Sequence, residues 1–132
     1  MNENKDKNII VSVVIPVYNE ERYIEKCILS LLQQDYQKEQ MEWVFVDGGS
    51  NDNTLLIIEN YMHKYPELIK LYNNPNKTVP YAMNIGIKAS VGKYIIRVDA
   101  HSEYANDYIS KCVYYLENTN ADREGYCRKC SF

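Results

Sequence analysis

Tyr94-Ile95-Ile96-Arg97-Val98-Asp99-Ala100-His101 joins a β-branched, aromatic run to a carboxylate, a small residue and an imidazole. A short apolar run of this composition predicts a buried parallel strand over residues 94–98. Ligands of open α/β sheets bind just outside the carboxyl ends of such strands. Residues two apart on an extended backbone share a face, so Asp99 and His101 are expected to point the same way. A carboxylate and an imidazole on one side of a strand end are a candidate seat for a divalent cation and a charged phosphate. The carboxylate suits Mg2+ or Mn2+, and the imidazole tilts the set toward Mn2+ or a later metal.

Working outward, strand-like and helix-like runs alternate. Ile9 to Val17 is β-rich and stops at Pro16-Val17-Tyr18-Asn19-Glu20. Ile24, Cys27, Ile28, Leu31 and Leu32 then recur at helical spacing, with Asn19 expected as the N-cap. Trp43-Val44-Phe45-Val46 is a second strand ending at Asp47, and Gly48-Gly49-Ser50 leads into a helix carrying Leu55, Ile58, Met62 and Tyr65. Ser50, Asn51 and Asp52 are expected to cap that helix. Ile69 to Tyr72 is a short third strand, followed by Asn73-Asn74-Pro75-Asn76 as loop and a helix from Pro80 to Ser90. After the fourth strand a last helix is expected over 106–117, with Ile109, Cys112, Val113 and Leu116 in phase. A βαβαβαβα series predicts a mainly parallel sheet covered by helices on both faces.

Length and composition narrow the function. The 132 residues suit one domain with one core. A net charge of −3 disfavours a nucleic-acid binder, which normally carries a basic excess. Met1 to Asn8 is polar and has no apolar signal region, and no run approaches the ~18 apolar residues of a membrane span. A cytoplasmic chain is expected, with membrane-associated partners at the inner face of the membrane compatible with it. Cys27 and Cys112 lie on apolar helix faces and are expected to be buried thiols. The Cys127 and Cys130 pair lacks the second pair that a zinc site requires. His63, on a helix without a partner motif, is expected at the surface.

In a parallel sheet the ends of strands one, two and four fall on one edge, where their polar residues converge and a nucleotide could lie. Asp47 follows its strand directly and could accept hydrogen bonds from a base or a ribose. Neither a Gly-x-Gly-x-x-Gly nor a Walker-type Gly-Lys-Ser/Thr motif is present, which disfavours dinucleotide and P-loop readings.

The ordered set Val13-Val14-Ile15-Pro16-Val17-Tyr18-Asn19-Glu20, Val46-Asp47-Gly48-Gly49-Ser50-Asn51-Asp52, Ala82-Met83-Asn84-Ile85-Gly86 and Gly92 to His101 resembles family 2 glycosyltransferases of the GT-A fold. The Asp-Ala-His ending looks most like the subgroup that builds bacterial exopolysaccharides of the succinoglycan type. The resemblance implies an inverting transferase that moves a sugar from a nucleotide-sugar donor, often a UDP-sugar, to a sugar or lipid-linked sugar acceptor. It implies that Pro16, Val17, Tyr18, Glu20 and Asp47 contact the nucleoside, that Asn84 lies in the helix facing the donor pocket, and that Asp99 and His101 hold a divalent cation, Mn2+ or Mg2+, near the ribose and diphosphate.

Three departures from the family pattern stand out: Gly48 in place of a second acid after strand two, Met83 where many members carry a basic residue, and His101 in place of a carboxylate. None of the acids after His101 (Glu103, Asp107, Glu117, Asp122, Glu124) matches the family's general base. The expected organisation is a polar extension (1–8), an incomplete donor-binding domain (9–118) and an atypical tail (119–132) without strand or helix periodicity. A truncated chain that binds a nucleotide sugar without transferring it is the competing expectation. A strand-paired tail would count against reading the last residues as foreign to the fold.

Overall fold

The computed structural model describes residues 8–119 and the backbone of Tyr126 and Cys127. Among the described residues five strands, β1 (Val11–Val17), β2 (Met41–Asp47), β3 (Ile69–Asn73), β4 (Tyr94–Arg97) and β5 (Tyr126–Cys127), form one sheet in the order β3-β2-β1-β4-β5. Every pairing is parallel. Four α-helices of the described residues connect them, α1 (Ile24–Leu32), α2 (Thr54–Lys64), α3 (Val79–Ala89) and α4 (Tyr108–Asn118), and a short 3-10 turn at Lys38–Gln40 precedes β2. The expected α/β three-layer sheet is therefore present. β5 corrects the reading of the tail as strandless: Tyr126 and Cys127 pair with Ile95 and Ile96. Two residues are too few to show the alternation by which a strand is read from sequence.

The layers follow from alternation along β1. Val11, Val13, Ile15 and Val17 face a large core with Trp43 and Phe45, which α1, α2 and α4 cover through Ile28, Ile58 and Ile109. Val14 faces the other side, where Ala82 and Met83 of α3 close a smaller cluster. The chain runs outward from β1 through β2 to β3, then reverses to place β4 on the far side of β1. Right-handed crossovers put α3 on the face opposite α1 and α2 once that direction reverses.

Gly86 lets α3 approach the sheet. A Cβ there would collide with Cγ1 of Val14, which is fully buried. Gly86→Ala is expected to destabilise by up to about 2 kcal/mol: overpacking costs about 1–3 kcal/mol, and the better helix preference of Ala returns about 1. Urea unfolding measures it, and Val14→Ala in the same chain should recover part of the loss.

At the amino edge of the sheet the buried Glu42 accepts from Ser12 Oγ (2.6 Å) and the Val91 N–H (2.8 Å), and Gly92 N–H donates to Ser12 Oγ (2.8 Å). This network ties the start of β4 to β1 and β2, far from the carboxyl edge.

Candidate functional site

The strand order reverses between β1 and β4, and ligands of open α/β sheets sit at such a switch point. The ladder shows how the crevice opens. β1 and β4 pair only as far as Val14 and Arg97, and Val98 N–H still donates to the Val14 carbonyl. Backbone groups alternate sides, so residue 16 would be the next on β1 to bond toward β4. It is proline, which has no N–H to offer. The strands part there, and a cleft forms, lined by Pro16, Val17, Tyr18, Glu20, Arg97, Asp99, Ala100 and His101. Val46, Gly48, Asn74, Lys77, Thr78, Val79 and Ala82 complete its wall.

Six of the expected site residues thus converge: Pro16, Val17, Tyr18, Glu20, Asp99 and His101. Asn84 does not join them. It sits on the exposed face of α3, which meets the cleft through Val79 and Ala82 instead. Asp47 is 3% exposed and lies behind the cleft. Its carboxylate accepts from the N–H groups of Gly49 (2.9 Å) and Ser50 (3.0 Å) and from Ser50 Oγ (2.6 Å). That turn uses Gly49 at φ 95°, a conformation glycine adopts without strain. Asp47, expected as a nucleoside contact, thus organises the β2–α2 turn.

The two loops above β1 and β2 share their hydrogen bonds. Asn19 N–H donates to Ser50 Oγ (2.8 Å), and Asn51 N–H donates back to Asn19 Oδ1 (2.9 Å). Glu20 N–H donates to Thr54 Oγ1 (2.8 Å), and Asn53 N–H to Glu21 Oε1 (2.9 Å). Asn19 is not the N-cap of α1. It takes φ 51°, which Asn tolerates, and the helix starts at Ile24 after a turn through Glu20–Tyr23. Of the expected caps for α2, Asp52 acts as one, accepting from Thr54 N–H (2.9 Å).

β4 stops at Arg97, and Ala100 and His101 lie in a turn, so the extended-strand argument for Asp99 and His101 fails. Asp99 pairs instead with Arg97 (3.7 Å), both half-exposed, and His101 reaches Glu20. The backbone of Asp99 is held firmly. Its N–H donates to Tyr104 Oη (2.9 Å), and its carbonyl accepts from Ser102 N–H (3.2 Å) and the Cys27 thiol (3.5 Å). Burial, then the Asp99 and Glu20 carboxylates, push the Cys27 thiol up to about 12, so it is an inert donor at neutral pH. Cys112 is buried and His63 exposed, as expected.

Three cleft residues were not singled out from the sequence. Arg97 and Lys77 bring positive charge to the cleft wall, in place of the base missing at Met83, which is buried in the smaller core. Arg97 sits inside the strand motif, and its position two before Asp99 was the available signal. Lys77 reaches the cleft from a loop at φ 63°, which no local pattern announces. Asn74, 1% exposed, holds that loop by accepting from Asn76 N–H and donating to the Thr78 carbonyl.

Among the described residues no group of three metal-ligating side chains forms. Asp99 and His101 are a carboxylate and an imidazole on one cleft, a donor set that suits Mn2+ when phosphate oxygens and water complete the shell. No helix of the described residues is long and apolar enough to cross a membrane.

The parallel sheet with helices on both faces and a cleft at its switch point, lined by Glu20, Asp99, Lys77, Arg97 and the exposed Tyr18, defines an open α/β protein. The chain belongs to glycosyl transferase family 2, whose model matches residues 12–130. It is 40% identical over 100 residues to the dolichyl N-acetyl-alpha-D-glucosaminyl phosphate 3-beta-D-2,3-diacetamido-2,3-dideoxy-beta-D-glucuronosyltransferase of Methanococcus voltae, covering 75% of this chain and 31% of that protein. The chain spans less than half the length of the curated relatives it matches. Among solved structures it is similar to S. aureus TarS in complex with UDP (TM-score 0.71, 28% identity, 85% of this chain and 33% of that one). It is also similar to a Pyrobaculum calidifontis mannosyltransferase with GDP-Man and Mn2+ (TM-score 0.78, 26% identity, 86% and 34%). These neighbours have the GT-A fold, and the chain is a glycosyltransferase domain of that fold.

Proposed function

We propose that residues 9–118 form the donor-binding part of an inverting transferase. It takes a sugar from a UDP-sugar and passes it to a glycan or lipid-linked sugar acceptor at the cytoplasmic face of a membrane. The Asp-Ala-His ending favours polysaccharide synthesis of the exopolysaccharide type. One observation supports the reading: Asp99, His101, Lys77 and Tyr18 line a single cleft at the switch point. Tyr18, 46% exposed, offers a ring face for a base. Lys77 and Arg97 meet the diphosphate, with Arg97 able to leave its solvent-screened partner Asp99 at little cost. Asp99 and His101 would hold Mn2+ or Mg2+, which neutralises charge on the departing diphosphate. Attack by an acceptor hydroxyl on the face of C1 opposite that leaving group inverts the anomeric centre.

UDP with Mn2+ is expected to raise the melting temperature of the chain, because ligand at about 100 times its Kd adds about 2.7 kcal/mol to the folded state. Asp99→Asn should remove most of that shift. An unchanged melting temperature at millimolar UDP and Mn2+, in a chain that unfolds cooperatively, would sink the reading.

A further inference from the structure

One contact at the mouth of the cleft has no use in donor binding as described. His101 Nδ1 lies 3.3 Å from Glu20 Oε2. A carboxylate there accepts, so in the neutral ring this contact favours the tautomer with the hydrogen on Nδ1 and the lone pair on Nε2. Glu20 is the anchored partner. Its side chain is 20% exposed against 56% for His101. Its N–H donates to Thr54 Oγ1, and its carbonyl accepts from the Tyr23 and Ile24 N–H groups. The Tyr23 ring meets the imidazole edge-on, 6.3 Å between centroids.

We infer that Glu20 is a positioning residue for the cation: its carboxylate fixes His101 in the Nδ1–H form and so dedicates Nε2 to the metal. The inference rests on the donor-site reading and deepens it. It assigns Glu20 to the ring of His101 and not to the nucleoside. A histidine that binds a metal through one nitrogen usually donates its other N–H to such an oxygen, which sets the tautomer and raises ligand basicity. The same contact explains why a histidine serves where the family has a carboxylate. The imidazole becomes a defined ligand only because a second, fixed acid stands on its far nitrogen.

The test uses the full chain labelled with 15N, at a pH above the imidazole range. The His101 signal, identified by its loss in His101→Ala, is expected to report the Nδ1–H form. Glu20→Ala should shift it toward Nε2–H, while Glu20→Gln, whose amide oxygen still accepts, should retain it. Mn2+ is then titrated into the UDP-saturated chain. Glu20→Ala should weaken Mn2+ by about 10–100-fold, and in the His101→Ala background it should cost nothing further. Nε2–H in the unsubstituted chain, or equal losses in both backgrounds, would overturn the inference. If UDP fails to bind, the donor reading falls, and the tautomer measurement still decides the role of Glu20.

Discussion

Trp43→Ala is expected to lower the unfolding free energy by about 3–5 kcal/mol, the usual cost of deleting a large buried ring. Trp43 is fully buried at the centre of β2, between β1 and β3, and faces the larger core. Domains of this size are stable by only about 5–15 kcal/mol, so the substitution removes a large share of the total. The indole N–H finds no acceptor among the described residues. Trp43→Phe therefore discards an unsatisfied donor along with part of the ring, and should cost less than half as much as Trp43→Ala. Urea unfolding of the two variants checks both statements. Equal losses would show that the indole N–H is satisfied in solution.

Asp47→Ala should be nearly as costly, about 2–4 kcal/mol, and should abolish UDP binding as well. The loss removes the charged acceptor of the Gly49 and Ser50 N–H groups, on which the turn is built. It also frees Ser50 Oγ, the acceptor for Asn19 N–H. Asp47→Asn keeps one acceptor oxygen and should fall between the two. Stability and UDP affinity should decline together across the series, measured by urea unfolding and calorimetric titration. An Asp47→Asn chain with unchanged stability and lost affinity would return Asp47 to direct contact with the nucleoside.

The sheet was legible because its strands are apolar on both faces and its helices carry clean stripes, as in Val11–Val17 and in Ile109, Cys112, Val113 and Leu116. The position of the cleft was legible too, since it depends on strand order more than on any side chain. Individual roles were harder to read. Asp47 and Asn84 were placed by motif, yet orientation depends on turn geometry and helix phase: the carboxylate is consumed by its own turn, and the amide faces solvent. The parallel between Asp99 and His101 assumed an extended backbone that ends two residues earlier, at Arg97. Lys77 and Glu20 act across long sequence separations, and nothing local to either residue reveals its neighbour.

The reciprocal bonding of the loops above β1 and β2 bears on how such a domain can be rebuilt. Asn19, Glu20 and Glu21 supply and receive the bonds that hold Ser50, Asn51, Asn53 and Thr54. Neither loop is a separable module. Transplanting the segment after β1 from another family member, without its companion after β2, would leave main-chain donors without acceptors at the rim of the cleft. Recombination between relatives should therefore succeed at the amino edge of the sheet and fail at its carboxyl edge, unless both loops travel together.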